Sequence, residues 1–217
     1  MSLDKFSVQK DKILIIDFGS QVTKLIARRI RELSVYCEVI TIKELTNIEK
    51  FEKIKGIIFS GGPSSVTDKS YPKISSEIFK KNIPILGICY GLQLIAKMYG
   101  GKIKKQNIKR EFGKVTIFSK SKSILTKGFF KRNESNVWMS HQDAVVKLPK
   151  HFINISYSLN SKFTAIQHKT KNIYGIQFHP EVTHTERGSR LIKNFVINIF
   201  KIKKNWVVGL EKKRIIK

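Results

Sequence analysis

Short apolar runs that alternate with helical patterns constrain the fold of this chain more than any other feature. The apolar runs lie at residues 12–17, 36–40, 55–60, 83–88 and 173–178. Apolar residues at helical spacing follow in the segments 21–33, 90–99 and 187–200. Strands covered by helices on both sides read as continuous apolar runs, because neither face of the strand meets water. The alternation therefore predicts an α/β fold with a mostly parallel central sheet and helices on both faces.

The middle of the chain, from about residue 102 to 170, has a different character. Strand-like segments at residues 113–118, 144–147 and 163–168 follow one another with turns between them and no helical pattern. This part of the sequence predicts further strands joined by turns. Reactive groups of parallel sheets collect at the carboxyl ends of the strands, so a functional site is expected at that edge.

The charge balance is strongly basic. The chain of 217 residues has 42 Lys and Arg against 16 Asp and Glu, a formal net charge of +26. A basic domain can bind nucleic acid, but here the basic residues are scattered and form no long block. This distribution favours a solvated basic surface over a nucleic-acid site. A basic face that docks another domain or steers an anionic substrate is a third interpretation.

The sequence indicates an intracellular protein. No apolar run is long enough to span a membrane, and residues 1–12 contain no signal-peptide core, which predicts a cytoplasmic location. The two cysteines, Cys37 and Cys89, are too few for a disulfide framework and form no zinc-type pair, so no metal site is predicted.

Cys89 lies between an apolar run and a helical pattern, with Gly87 and Gly91 on either side. This arrangement predicts a nucleophile elbow, in which a sharp turn exposes the thiol and the glycines relieve crowding. The amino terminus of the helix that follows favours the thiolate. A buried cysteine in an ordinary strand–helix turn is the alternative interpretation.

His179 and Glu181 follow the last apolar run and are two residues apart. Residues at that spacing in an extended segment face the same side, so Glu181 can orient the imidazole of His179. A cysteine nucleophile requires such a base and such an orienting group. A single histidine is more often structural, but the elbow cysteine changes that balance.

The segment of residues 60–63 follows the third apolar run and contains the pair Gly61-Gly62. A glycine pair can be a simple turn. The functional alternative is an oxyanion hole, in which a backbone N–H of this loop opposes the N–H of Tyr90, the residue after the cysteine.

Together these three elements resemble the class I glutamine amidotransferases, and the similarity extends over residues 12–200. The resemblance implies a flavodoxin-like α/β fold with an inserted antiparallel region. It implies a triad of Cys89, His179 and Glu181, with Gly62 and Tyr90 as oxyanion donors. It also implies that Gln93, one turn after the nucleophile, contacts the substrate glutamine.

Three further segments, residues 17–21, 138–143 and 179–185, resemble the GMP synthase branch of this family. The resemblance implies that a loop holds the backbone end of the substrate glutamine. Its residues are Ser140, His141, Gln142 and Asp143. The family often has glycine where this chain has Gln142, which leaves the conformation of that loop open.

The resemblance implies hydrolysis of L-glutamine to glutamate and ammonia through a thioester. In the family, the ammonia serves an ATP-pyrophosphatase (synthetase) domain or subunit, where ATP and Mg activate XMP, and the full-length enzyme is expected to be a homodimer. No cofactor is expected in residues 12–200. Residues 1–11 are interpreted as a tail that begins with residues left by cloning, and residues 201–217 as a linker toward the synthetase domain.

Three alternatives remain beside this interpretation. The chain could be the glutaminase of another biosynthetic complex, or a basic nucleic-acid-binding module, which leaves Cys89, His179 and Glu181 unexplained. It could also be a degenerate amidotransferase kept as a scaffold, although all three triad residue types are present. Whether the chain is an excised domain or a separate subunit stays open, and low activity is expected without the synthetase.

Overall fold

The computed structural model describes residues 10–45, 52–106 and 109–206. Nearly all of the predicted tail (residues 1–9) and most of the predicted linker (residues 207–217) lie outside the described residues. In the described ranges, no helix has the length and apolar character needed to cross a membrane. The cytoplasmic location stays a prediction.

The described part of the chain contains eleven strands. They are β1 (Lys12–Asp17), β2 (Cys37–Thr41), β3 (Ile54–Phe59), β4 (Ile85–Ile88), β5 (Lys102–Lys105), β6 (Glu111–Ser119), β7 (Glu134–His141), β8 (Asp143–Lys147), β9 (Phe152–Tyr157), β10 (Ala165–His168) and β11 (Ile173–Ile176). Eight of these strands follow the predicted apolar runs and strand-like segments, and three (β5, β7 and β9) were not predicted. The α-helices are α1 (Thr23–Glu32), α2 (Ile42–Leu45), α3 (Tyr90–Met98) and α4 (Gly188–Lys193). A 3₁₀ turn spans Ser76–Phe79, and a π-helical segment spans Asn194–Ile199.

The strands form one large sheet in the order β2-β1-β3-β4-β11-β10-β9-β6-β7. The first five strands in this order are parallel, and the remaining four continue the sheet with antiparallel pairing. Strands β5 and β8 form a separate antiparallel pair. The predicted α/β class is thus confirmed, with the antiparallel strands joined edge-on to the parallel ones.

Helices pack on both faces of the parallel strands. In β1, Ile13 and Ile15 join a core cluster with α1 and the carboxyl-terminal helix, and Leu14 and Ile16 join a cluster with α3. All four side chains are fully buried. The continuous apolar run of β1 is therefore a consequence of cover on both faces.

The last helix differs from the regular helix predicted over residues 187–200. It changes from α to π geometry at Asn194, and the N–H of Phe200 donates to the carbonyl of Phe195 at 2.9 Å. This wider spacing brings the rings of Phe195 and Phe200 to a centroid distance of 4.0 Å. The Phe200 ring occupies the space above Gly56 of β3, where a Cβ atom would lie 2.1 Å from the ring. The π segment thus seats Phe200 on the sheet.

We predict that Asn194→Ala lowers the free energy of unfolding by about 2 kcal/mol, because a buried and a partly buried carbonyl oxygen lose their donor. The Asn194 amide donates to the carbonyls of Leu125 and Lys127 at 2.9 and 2.8 Å. Asn198→Ala is the matched control, since the Asn198 amide donates to the Asn194 side chain at the partly buried surface of the same helix. Denaturant unfolding measures both losses, and equal losses would contradict this anchoring role.

Candidate active site

Cys89 occupies a sharp turn between β4 and α3. Its backbone has φ 52° and ψ −103°, a conformation that is uncommon for a residue with a side chain. The N–H of Cys89 donates to the carbonyl of Ile176 at 2.7 Å, which ties the turn to the end of β11. The structure thus has the strand–turn–helix geometry that the sequence predicts for the elbow. Such strained residues cluster at functional sites.

The flanking glycines allow α3 to approach the sheet closely. A Cβ atom on Gly87 would lie 2.4 Å from the carbonyl carbon of Gly91. A Cβ atom on Gly91 would lie 2.5 Å from the carbonyl oxygen of Phe59 in β3. Because these neighbours are backbone atoms, they cannot move aside as a side chain could. Glycine is therefore required on both sides of the cysteine.

His179 and Glu181 lie beyond the end of β11 and form a buried pair. The Nδ1 of His179 donates to Oε1 of Glu181 at 2.8 Å, and the Glu181 side chain is fully buried. The backbone of His179 is held by the carbonyl of Trp138, to which its N–H donates at 3.0 Å, and by the hydroxyl of Thr185, which donates to its carbonyl at 2.6 Å. The orientation of the imidazole is therefore fixed from three directions.

The surroundings of His179 favour its charged form. Burial lowers the pKa of His179, but hydrogen bonds to Cys89 and Glu181, together with their negative charge, outweigh burial and raise the pKa to about 10. His179 therefore carries both ring protons at neutral pH. An imidazolium next to the Cys89 thiol is the arrangement that stabilises a thiolate.

The loop that follows β3 lies against this pair. The hydroxyl of Ser60 accepts a hydrogen bond from the N–H of Phe18 at 3.0 Å, which fixes the start of the loop. A Cβ atom on Gly61 would lie 3.2 Å from Cε1 of His179, and one on Gly62 would lie 2.7 Å from the carbonyl oxygen of Phe18. The glycine pair thus lets the loop backbone pass close to the imidazole.

Two backbone N–H groups are available at this site. Within the described ranges, the N–H groups of Gly62 and Tyr90 have no hydrogen-bond acceptor in the protein. Tyr90 is the first residue of α3, where a helix leaves its N–H groups without intrahelical partners. The carboxyl edge of β3 and the amino terminus of α3 thus offer donors to a bound group.

Gln93 and Gln177 connect Cys89 to the antiparallel side of the sheet. The Gln177 amide donates to the Cys89 sulfur at 3.5 Å, and the Gln93 amide donates to the Asp143 carbonyl at 2.8 Å. Gln93, which was predicted to contact the substrate, is 4% exposed, and in the structure its amide is bound to the Asp143 carbonyl. The sequence analysis assigned no role to Gln177. Its position two residues before His179, on the same side of an extended segment, could have indicated one.

The predicted substrate loop is a tight turn between two strands. Ser140 and His141 end β7, Gln142 joins the strands, and Asp143 begins β8. Gln142 is not among the residues with positive φ, so a side chain is accommodated there without strain. The carbonyl of Ser140 accepts a hydrogen bond from the Cys89 thiol at 3.7 Å, and the Asp143 carboxylate accepts one from Ser65. The turn therefore borders Cys89.

The His141 side chain points into the protein rather than toward the nucleophile. Its two ring nitrogens lie 3.0 Å from the Asp143 carbonyl and 3.1 Å from the Glu111 carboxylate. Any contact between His141 and a ligand therefore involves its backbone. The described residues contain no group of three or more His, Cys, Asp or Glu side chains arranged to hold a metal ion.

Comparison with known proteins relates this geometry to one family. A family model described as glutamine amidotransferase class-I matches residues 14–199. The chain is 48% identical over 199 residues to a GMP synthase (glutamine-hydrolyzing) of Brachyspira hyodysenteriae. These residues make up 92% of this chain and 38% of that protein. A protein of the same name from Clostridium tetani is 46% identical over 203 residues, or 93% of this chain and 39% of that one. The chain thus spans less than two fifths of these relatives.

Solved structures show the same similarity. A Thermoplasma acidophilum protein described as a GMP synthase subunit matches with a TM-score of 0.77 and 31% identity, over 89% of this chain and 95% of that chain. A Thermotoga maritima glutamine amidotransferase shares the fold, with a TM-score of 0.65 and 22% identity over 94% of this chain and 85% of that chain. With the family model matching almost the whole described chain, this protein belongs to the class I glutamine amidotransferase family.

Proposed function

We propose that this chain hydrolyses L-glutamine to glutamate and ammonia, and that the ammonia serves the amination of XMP to GMP. The observation that carries the proposal is Cys89 at a strained elbow, next to an imidazolium that is bound to a fully buried carboxylate. A nucleophile, a proton carrier and an orienting group in this order are what acyl transfer from an amide requires.

The reaction begins with attack of the Cys89 thiolate on the side-chain amide carbon of glutamine. The carbonyl oxygen becomes negatively charged, and the N–H groups of Gly62 and Tyr90 donate to it. An oxyanion donor of this kind typically contributes about 3 kcal/mol of transition-state stabilisation. Because both donors are backbone groups held by packed glycines, they need no rearrangement when the charge develops.

His179 then donates its Nε2 proton to the departing nitrogen, which releases ammonia and leaves a thioester on Cys89. The neutral imidazole next takes a proton from water, and the resulting hydroxide hydrolyses the thioester to glutamate. Glu181 keeps the imidazole oriented in both steps and stabilises its charged form. The Gln177 amide, which donates to the sulfur, stabilises the thiolate before attack and after hydrolysis.

Substrate binding follows from the turn between β7 and β8. We assign the backbone end of glutamine to Ser140, His141, Gln142 and Asp143, with the Asp143 carboxylate facing the α-ammonium group. The hydroxyl of Ser65, which donates to that carboxylate, is the group a substrate ammonium would displace. Gln93 supports the turn through the Asp143 carbonyl and lies one helical turn from Cys89.

The second half of the proposal concerns a partner. The relatives are named GMP synthase, and the chain covers only 38% and 39% of the first two. We propose that an ATP-pyrophosphatase domain or subunit receives the ammonia and holds ATP and Mg, with no cofactor in the residues described here. A homodimer of the complete enzyme stays a prediction.

Cys89→Ala should lower ammonia release from glutamine by at least about 1000-fold, because the covalent route is lost. Cys37→Ala is the matched control. Cys37 is also buried and its thiol contacts the Ala27 carbonyl in α1, so its removal should leave turnover within about twofold of wild type. Substantial ammonia release by the Cys89 variant would reject the nucleophile assignment.

The pH dependence should report the His179–Glu181 pair. Turnover needs protonated His179, so its alkaline limb is expected near the His179 pKa of about 10. Between the ordinary value of 6.5 and about 10, the folded protein holds a proton that the unfolded chain lacks. The pair therefore stabilises the fold fully below pH 6.5 and loses that contribution as the pH rises to about 10.

Glu181→Gln should move the alkaline limb of turnover to lower pH, because the carboxylate that supports the imidazolium is gone. Glu186→Gln is the control variant, because Glu186 is exposed and accepts a hydrogen bond from Asn136. The alkaline limb of turnover should stay at the same pH in this control. Steady-state rates across pH and unfolding free energies measure the two effects. An alkaline limb that stays in place in Glu181→Gln would show that another group titrates.

Glutamine hydrolysis by the chain alone should be slow and should rise when the synthetase part, XMP, ATP and Mg are added. Ammonia release and GMP formation are measured in the same mixture. Turnover that does not respond to these additions would contradict the proposed coupling to a synthetase. The glutaminase activity itself is tested separately, by the Cys89 and Cys37 variants. Complementation by an unrelated synthetase would favour a different biosynthetic complex.

A further inference from the structure

A buried carboxylate outside the triad lies at the start of β6. Glu111 is 3% exposed, and it accepts hydrogen bonds from the hydroxyls of Ser158 and Ser161 at 2.7 and 2.8 Å. Its third partner is the Nε2 of His141 at 3.1 Å. Burial raises the pKa of Glu111, but these three donors outweigh burial and hold it below its usual value, so the carboxyl group is ionised.

His141 connects Glu111 to the turn of residues 140–143. Its Nδ1 faces the carbonyl oxygen of Asp143 at 3.0 Å, and its Nε2 faces the Glu111 carboxylate. A carbonyl oxygen only accepts hydrogen bonds, so the Nδ1 of His141 donates to the Asp143 carbonyl. Glu111 therefore holds the ring from the side opposite to the turn.

This pair is connected to the substrate side of the site. The Asp143 carbonyl accepts from His141 on one side and from the Gln93 amide, at 2.8 Å, on the other. Asp143 presents its carboxylate toward Ser65, and the carbonyl of Ser140 in the same turn contacts the Cys89 thiol. The orientation of the turn thus depends on the Nδ1–H of His141, and Glu111 holds the ring that carries it.

We propose that Glu111 is a positioning residue for substrate binding, which holds the His141 ring in place so that its Nδ1–H fixes the Asp143 carbonyl and with it the turn of residues 140–143. The proposal rests on the proposed function, since it assigns the substrate's backbone end to that turn. Glu111 acts through His141 and does not touch the substrate. A change at Glu111 should therefore weaken glutamine binding much more than it slows the chemical step.

Glutamine binding to the Cys89→Ala protein tests this without turnover. Adding Glu111→Gln keeps the shape of the side chain and removes its charge, and the glutamine Kd is expected to rise about tenfold in calorimetry. The control is Glu134→Gln, because Glu134 begins β7 at its exposed far end and should leave Kd unchanged. In the enzyme with Cys89 intact, KM should rise about tenfold and kcat should change less than about twofold. An unchanged Kd in the folded Glu111 variant would overturn the proposal.

A double-mutant cycle separates positioning from general destabilisation. If Glu111 acts through His141, then Glu111→Gln and His141→Gln together should raise Kd no more than His141→Gln does alone. Additive effects would overturn the proposal. A Cys89→Ala protein with Glu111 intact that binds no glutamine would instead reject the proposed function.

Nuclear magnetic resonance of ring-labelled histidine gives a readout that needs no substrate. In the wild-type protein, the Nδ1 of His141 is expected to carry a hydrogen-bonded proton. In Glu111→Gln, that proton is expected to exchange faster with water, because the ring is held less firmly. A His141 ring without a proton on Nδ1 in the wild type would overturn the proposal even if the variant does not fold.

Discussion

The close contact between α3 and the parallel sheet is the constraint on which the site depends. Gly87 and Gly91 leave no room for a side chain between the helix and the strands below it, so the chain must turn sharply at Cys89. That turn places the thiol at the strand edge and the Tyr90 N–H beside it. The same contact brings β3 near the helix, so the loop containing Gly61 and Gly62 follows it into the site. One packing requirement thus positions the proposed nucleophile and both proposed oxyanion donors.

The site also depends on the junction between the two halves of the sheet. The parallel half supplies Cys89 and the glycine loop, and the antiparallel half supplies the turn after β7. His179 lies where they meet, since it follows β11 and its N–H donates to the carbonyl of Trp138 in β7. Ligands of open α/β sheets bind at the carboxyl ends of strands where the topology changes. Here that change is from parallel to antiparallel pairing on either side of β11.

The parallel strands and the candidate triad could be predicted because their signals are local. Strands covered on both faces are continuous apolar runs, and His179 and Glu181 are adjacent on one extended segment. Strand β7 was missed because polar residues, Ser135 and His141, occupy two of its buried positions, so the sequence shows no apolar alternation. Glu111 could not be recognised from its neighbours. Its partners are 30, 47 and 50 residues away in the chain, so only the folded pairing of β6 with β7 and β9 brings them together.

A buried glutamate contacts a histidine ring twice in this molecule, with different consequences. Glu181 lies 2.8 Å from His179, and Glu111 lies 3.1 Å from His141. For His179, the carboxylate supports the charged form, which burial alone would disfavour. What differs is the partner of the other ring nitrogen. For His179 it is a thiol, which can exchange a proton and react, whereas for His141 it is a backbone carbonyl, which can only accept. The first pair can therefore carry out proton transfer, and the second can only hold the chain in place.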